Sequence, residues 1–248
     1  MKEKTVHLYN DLAWLWPLWG DPTTTYADWC NRITECIHQY ARRDAHTLLN
    51  MGCGGGKNAF NLKRNFEVTG VDISPAMLDL AKKLNPECRF ILGDIRDCSL
   101  DLDFDAILVD DAISYMTSRA DLISVFQNAY RHLRTGGVML VEPDYMKETF
   151  QQNQTQVSYA ESKFKPTNVD VVFIENNYDP DPGDCTFEAT IIYLIRENGK
   201  LRMEKDISEF GLFTRSEWKT ILCDIGYKVR EEASTGDQNS KLFVCVKA

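Results

Sequence analysis

Residues 50–56 read Asn50-Met51-Gly52-Cys53-Gly54-Gly55-Gly56, with glycines alternating directly after an apolar run. Such glycines let the chain turn tightly and let a ligand approach the backbone. Amides left free where a helix begins favour a negatively charged group. Asp72 stands 20 residues after Gly52, the spacing at which a carboxylate on the next strand end binds ribose hydroxyls. It is equally placed to cap a helix starting near Pro75. Gly93-Asp94-Ile95 follows a third apolar run. There Asp94 can accept a hydrogen bond from an adenine amino group, with Ile95 and Met77 on the two faces of the ring; it can also be an ordinary turn residue. Asp110 and Asp111 close a fourth run, Phe104 to Val109. In open α/β sheets ligands bind beyond the carboxyl ends of the strands, so two adjacent acids there are candidates for chemistry.

These residues need a framework. The pattern predicts strands over 47–51, 67–72, 88–92, 104–109 and 138–142, with helices over 58–64, 76–84 and 119–134 between them. Ser74 and Pro75 open the second of these helices, and Thr135-Gly136-Gly137 reads as the stop of the third. Strands alternating with helices imply a parallel sheet covered on both faces. An amphipathic helix precedes them, with Tyr26, Trp29, Ile33, Ile37 and Tyr40 on one face. The rhythm changes after Pro143. Residues 144–168 are polar and poorly periodic, and residues 169–210 read as three antiparallel strands. Asp179-Pro180-Asp181-Pro182-Gly183 and Glu197-Asn198-Gly199 supply the turns. A helix capped by Thr214 and two strands, 227–230 and 241–247, close the chain.

Composition narrows the partners. Of 248 residues, 44% are apolar and 26% charged, which suffices for a buried core. The net charge of -9 argues against a phosphate backbone as partner, because nucleic-acid affinity comes mostly from Lys and Arg. No apolar run approaches the ~20 residues that span a bilayer, and no signal-peptide pattern is expected at the N-terminus. The eight cysteines include no Cys-x-x-Cys pair and the chain has four histidines, so no metal site is expected. Reduced thiols in the cytoplasm are.

Taken in order, these motifs resemble those of class I S-adenosylmethionine-dependent methyltransferases. Leu48 to Gly56 resembles their first motif and Val68 to Leu78 their second. Gly93-Asp94-Ile95-Arg96-Asp97 and Leu133-Arg134-Thr135-Gly136-Gly137 resemble the later ones. Tyr9-Asn10-Asp11-Leu12, Ser114-Tyr115-Met116, Val141-Glu142-Pro143-Asp144-Tyr145 and Phe210-Gly211-Leu212-Phe213-Thr214 are similar to the amino-sugar N,N-dimethyltransferase branch. The resemblance implies a Rossmann-like α/β sheet of seven strands. It also implies an antiparallel β insertion after the fifth strand and an N-terminal helical lid, all in one methyltransferase domain. The parts are a lid over 1–46, a cofactor-binding core over 47–142, the insertion over 143–213, and a closing helix and strand pair over 214–248.

S-adenosyl-L-methionine is then the expected cofactor, held by Asn50, Gly52, Gly54, Gly56, Asp72, Ile73, Met77, Asp94, Ile95 and Asp110. Asn50 departs from the acid usual at its position, leaving the cofactor's ammonium to rely on Asp110. The expected partner is a small polar methyl acceptor, an amine among the options; a homodimer is one assembly open to the chain. Transfer from a sulfonium is a direct displacement in which the protein mainly aligns the reactants. Tyr9, Tyr115 and Asp111 are the candidate catalytic residues: the two tyrosines line the pocket, and Asp111 or Glu142 orients the acceptor. Nicotinamide-dependent oxidoreduction is a competing reading, opposed by the glycine spacing and the terminal strand pair. A non-catalytic cofactor-binding module is another, supported by Asn50.

Overall fold

The computed structural model describes residues 6–160, 168–233 and 241–248. Short apolar strands and amphipathic helices alternate as follows: α1 Ala27–Tyr40, β1 Thr47–Met51, α2 Lys57–Leu62, β2 Glu67–Asp72, α3 Pro75–Leu84, β3 Arg89–Leu92, β4 Phe104–Val109, α4 Arg119–His132 and β5 Leu133–Val141. The last segment supplies α5 Arg215–Ile225, β10 Tyr227–Ala233 and β11 Lys241–Lys247. Their strands form one seven-stranded sheet in the order β10-β11-β5-β4-β1-β2-β3. Strands β1 to β5 pair in parallel, and β11 runs antiparallel between β5 and β10.

Alternate side chains of each strand serve two cores. Leu49, Met51, Ile107 and Val109 face α4 and α5, while Leu48, Ala106 and Leu108 face α1 and α2. Every residue of β4 is buried, as a central strand covered on both faces requires. The chain steps outward from β1 through β2 to β3, then returns to the other side of β1 as β4. Strand order reverses there, so the crevice where such sheets bind ligands opens at the carboxyl ends of β1 and β4.

A second sheet carries four antiparallel strands: β6 Gln154–Tyr159, β7 Val169–Tyr178, β8 Thr186–Glu197 and β9 Lys200–Gly211. The sequence led to three strands. The fourth, β6, is a largely exposed edge strand, and without a buried face it shows no apolar alternation. Strands β8 and β9 join through Asn198 and Gly199, both left-handed at φ 52° and 78°, as a tight hairpin demands. Phe187, Ala189, Tyr193 and Ile195 are buried on one face of β8. Leu8, Leu12, Leu15 and Leu18 of the N-terminal segment pack onto that face with Val171 and Phe173 of β7. That segment forms two 3-10 turns, His7–Tyr9 and Ala13–Leu18.

Another expectation is corrected at Thr135-Gly136-Gly137. Helix α4 ends at His132, and β5 runs through these residues from Leu133. Gly136 keeps a positive φ of 79° and its carbonyl accepts the Arg42 N–H at 2.8 Å, so the sheet absorbs what reads locally as a stop. Helices α3 and α5 start where their caps indicate. Ser74 accepts the Met77 N–H, and Thr214 forms a reciprocal capping box with Glu217, which satisfies backbone donors at each helix start.

Candidate active site

The glycine turn links β1 to α2. Gly52, Gly54 and Gly56 take φ values of 78°, 50° and 79°, a region that side chains disfavour. A Cβ on Gly52 would lie 2.1 Å from the Ala112 Cβ, so this glycine is also required by close approach of the segment after β4. The turn spends its amides internally. The N–H groups of Gly52 and Cys53 donate to the Val71 carbonyl, and that of Gly56 to the Cys53 carbonyl. The Gly54 N–H donates to Asp72 Oδ2 at 2.7 Å, and the Ser74 N–H to Asp72 Oδ1 at 2.9 Å. With these bonds the turn braces one carboxylate at the carboxyl end of β2. Burial pushes the Asp72 carboxyl up, against the lowering effect of its backbone donors.

This half fits an adenosyl ligand without phosphates. Asn50 is fully buried at the end of β1, and neither its amide nitrogen nor its oxygen has a hydrogen-bond partner among the described residues. A buried amide with no partner costs free energy, and a bound amino-acid end would supply both a donor and an acceptor. Asp72, held at the end of β2 by two backbone donors, is the acid that the resemblance assigns to ribose hydroxyls. Ile73 is 60% exposed beside it, whereas Met77 is wholly enclosed and Ile95 nearly so. Of the three, Ile73 has the surface to cover a ring. Asp94 lies further out, gripped by Arg96 through Nε and Nη2 at 2.6–3.1 Å. Arg96 also reaches Asp121 at 3.2 Å. These donors hold the Asp94 carboxyl below its ordinary value, although burial opposes them.

The other half gathers at the carboxyl ends of β4 and β5. Asp111 lies between Asp110 and Asp144, within hydrogen-bond reach of both. Asp111 keeps more than a third of its surface accessible although protein surrounds it closely, which places it on the wall of a cleft. Asn58 of α2 donates to Asp110 at 2.9 Å, Ser114 to Asp144 at 2.9 Å, and Trp29 of α1 to Glu142 at 3.0 Å. Burial pushes Asp110, Asp111 and Asp144 up; the charge of Asp111 adds to this at Asp110 and Asp144, whereas those two neighbours lower Asp111 in return. Across the cleft the hydroxyls of Tyr9 and Tyr115 are hydrogen-bonded at 3.0 Å. Their rings meet edge to face at 5.9 Å between centroids, and Tyr115 packs on Phe210 of β9 at 4.6 Å. Burial raises both phenols, with Asp111 contributing, so both hydroxyls stay protonated and able to donate.

The structure therefore brings Tyr9, Tyr115 and Asp111 together; Asp110, expected at the cofactor's ammonium, stands beside Asp111 and accepts from Asn58 of α2, the helix that follows the glycine turn. Gly52, Gly54, Gly56, Asp72 and Asn50 form the neighbouring half, with Asp94 and Ile95 beyond Asp72.

Several residues escaped the sequence reading. Lys57 is buried, and its Nζ donates to the Trp16 carbonyl at 2.7 Å and to that of Trp19. Burial pushes its ammonium down to about 7. Ser74 Oγ donates to the Tyr9 carbonyl at 2.5 Å, and Asp206 of β9 accepts the N–H groups of His7 and Leu8 at 2.8 and 3.1 Å. The Trp16 ring rests on Gly54 and Gly55, 2.4 Å from where a Gly55 Cβ would stand. None of these contacts follows from local spacing. The one available signal was the Lys directly after the glycine turn.

The methyltransferase domain family matches residues 48–137. A curated relative, dTDP-4-amino-2,3,4,6-tetradeoxy-D-glucose N,N-dimethyltransferase of Saccharopolyspora spinosa, is 28% identical over 89% of this chain and 87% of its own. Among solved structures, the sugar N-methyltransferase KedS8 from Streptoalloteichus sp. superimposes with a TM-score of 0.82 at 22% identity, covering 100% of this chain and 95% of that one. S-adenosylmethionine-bound CalS10, an amino pentose methyltransferase from Micromonospora echinaspora, gives 0.80 at 22% identity over 96% of each. With the switch-point crevice at the carboxyl ends of β1 and β4, these matches give the chain a methyltransferase domain over residues 48–137 and the fold of the class I S-adenosylmethionine-dependent methyltransferases. Within that class it is similar to the amino-sugar N,N-dimethyltransferase branch. Among the described residues no helix is long and apolar enough to cross a membrane.

Proposed function

We propose that the protein transfers a methyl group from S-adenosylmethionine to the nitrogen of a small polar amine of the amino-sugar type. The carrying observation is the juxtaposition, at one cleft, of the Tyr9–Tyr115 hydroxyl pair and Asp111 beside the braced Asp72. The named activities of the relatives support the amine. The cofactor supplies an electrophilic methyl carbon. Asn50, Gly52, Gly54, Gly56, Asp72, Ile73, Met77, Asp94 and Ile95 would hold it. Tyr9 and Tyr115 would line the transfer path, where aromatic rings attract a cation by roughly 0.5–2 kcal/mol. Asp111, with Asp110 behind it, would orient the amine and accept its proton, because only a neutral nitrogen has a lone pair to donate.

Lys57, Ser74 and Asp206 support a lid role for the N-terminal segment, which would keep water from the reacting centre. The acidic cleft supports an acceptor other than nucleic acid, and the eight free cysteines support a cytoplasmic setting. A homodimer is an assembly for sedimentation to test. The experiment for the reaction is incubation with S-adenosylmethionine carrying a labelled methyl group and a panel of amines, read by mass spectrometry. Label on an amine nitrogen is expected. Tight S-adenosylhomocysteine binding with no labelled amine or other acceptor would sink the reading.

A further inference from the structure

A 3-10 turn of three residues carries little stability of its own. The turn His7–Tyr9 closes on itself through the Asn10 N–H, which donates to the His7 carbonyl at 3.0 Å. Its setting comes from two side chains, one from each sheet. Asp206 of β9 is buried and takes three neutral donors. The His7 N–H reaches Oδ1 at 2.8 Å, and the Leu8 N–H and Tyr193 hydroxyl reach Oδ2 at 3.1 and 2.9 Å. Ser74 holds the other end of the turn. Its Oγ donates to the Tyr9 carbonyl at 2.5 Å while accepting the Met77 N–H at 3.1 Å. The Ser74 N–H donates in turn to Asp72 Oδ1 at 2.9 Å, and Asp72 Oδ2 takes the Gly54 N–H at 2.7 Å. Hydrogen bonds therefore link the glycine turn, through Asp72 and Ser74, to the backbone of Tyr9. The Tyr9 hydroxyl then meets that of Tyr115 at 3.0 Å.

We infer that Ser74 and Asp206 are positioning residues for Tyr9, and that Ser74 makes cofactor binding at Asp72 the event that completes the acceptor pocket. This rests on the reading that places Asp72 at the cofactor and Tyr9 on the transfer path, and it deepens that reading. The two anchors differ in kind. Asp206 belongs to the second sheet, so its hold on the turn is the same with the cofactor bound or gone. Ser74 stands two residues from Asp72 and donates to it. A ligand hydrogen-bonded to the Asp72 carboxylate restrains that short link, and a restrained Ser74 loses less freedom in holding the Tyr9 carbonyl. Order supplied by the first ligand is order that the next step need not supply, which couples two sites without a change of shape. Hydrogen bonds in a chain also strengthen one another. The coupling is reciprocal, so a seated Tyr9 tightens the cofactor in return. The consequence for the reaction is sequence: cofactor first, then acceptor, with Tyr9 set on the transfer path once the methyl donor is in place.

The test is backbone hydrogen exchange of the full chain, read by mass spectrometry over residues 7–12, with and without saturating S-adenosylhomocysteine. In the unaltered protein the ligand should slow exchange there at least tenfold. Ser74→Ala should reduce that factor below threefold, even at saturation. By reciprocity it should also weaken S-adenosylhomocysteine in calorimetry by about the factor lost. Ser74→Thr keeps the hydroxyl and should restore both, whereas a role confined to capping α3 would leave the exchange ratio in place. Asp206→Asn should speed exchange at least tenfold in both states alike, so that the ratio between them stands. S-adenosylhomocysteine bound to the unaltered protein without slowing, slowing that survives in Ser74→Ala, or unaltered exchange in Asp206→Asn overturns the inference and leaves the cofactor reading intact. Failure of S-adenosylhomocysteine to bind the unaltered protein defeats both.

Discussion

The two ends of β4 treat acid side chains in opposite ways. At the amino end, Asp105 is buried and accepts the N–H groups of His46 and Thr47, the Thr47 hydroxyl, and the guanidinium groups of Arg43 and Arg134 at 2.8–3.1 Å. These donors hold its carboxyl down to about 2. At the carboxyl end, Asp110 and Asp111 face Asp144, with only neutral donors from the described residues, and all three are pushed up. One end satisfies its charge inside the fold, and the other leaves charge for a ligand to satisfy. The first arrangement serves stability. The second spends stability on a site, a trade-off that active sites commonly show.

The comparison is most easily broken at Asp105. Asp105→Ala is expected to cost about 3 kcal/mol of unfolding free energy, because it removes the shared acceptor of two backbone N–H groups, the Thr47 hydroxyl and two arginines. Urea denaturation measures this, and turnover per folded molecule should not change. Next in size is Asp72→Asn, which keeps the shape of the braced carboxylate but removes its charge. S-adenosylhomocysteine binding should weaken by roughly 2 kcal/mol, about 30-fold, in calorimetry. A change below threefold would remove Asp72 from the cofactor site. Replacing Tyr9 and Tyr115 together by Phe keeps the aromatic walls and removes the paired hydroxyls. Steady-state kcat should fall by about 10-fold, roughly 1.4 kcal/mol. Unchanged turnover would show the pair to be packing alone.

The smallest effect has the opposite sign. Asp111→Asn should stabilise the protein by about 0.5–1 kcal/mol near pH 7, after discounting for its water-accessible side. The pH dependence of the two ends follows from linkage. Asp105 has a lowered folded pKa, so its contribution is full above about 4 and disappears as the pH falls through about 2. Asp111 has a raised folded pKa, so the folded state holds its proton longer than the unfolded chain does. Its ionisation therefore destabilises the fold as pH rises above about 4. The gain from Asp111→Asn should accordingly vanish as the pH is lowered to about 4. A gain that persists there would mean that the ionisation of a buried Asp111 is not its cause.

The cofactor half was legible because its determinants are local. The glycine spacing, Asp72 at a strand end and the Ser74-Pro75 start each follow from a few adjacent residues, and the alternation of strands and helices indicates how they assemble. The acceptor half was legible only in part. Tyr9, Tyr115 and Asp111 were singled out, yet nothing local joins residues 9, 111 and 144, which meet only in the folded chain. Strand β6 was missed because an exposed edge has no apolar period, and the passage of β5 through Gly136 because pairing with β4 outweighs a local stop signal. Met77, expected on one face of the ring, is wholly enclosed: spacing says which helix turn a residue occupies, not which neighbour covers it.

Leu8, Leu12, Leu15 and Leu18 tie the N-terminal segment to the second sheet, while Lys57 and Ser74 tie it to the first. It therefore works as a pin through two plates. Its attachment at either side is worth little unless the other side is in register, so the segment reports on their alignment. A protease cut or a fusion joint placed among these leucines would leave each sheet intact but free the pair to drift, and the cleft between them would lose its width before either sheet lost its fold.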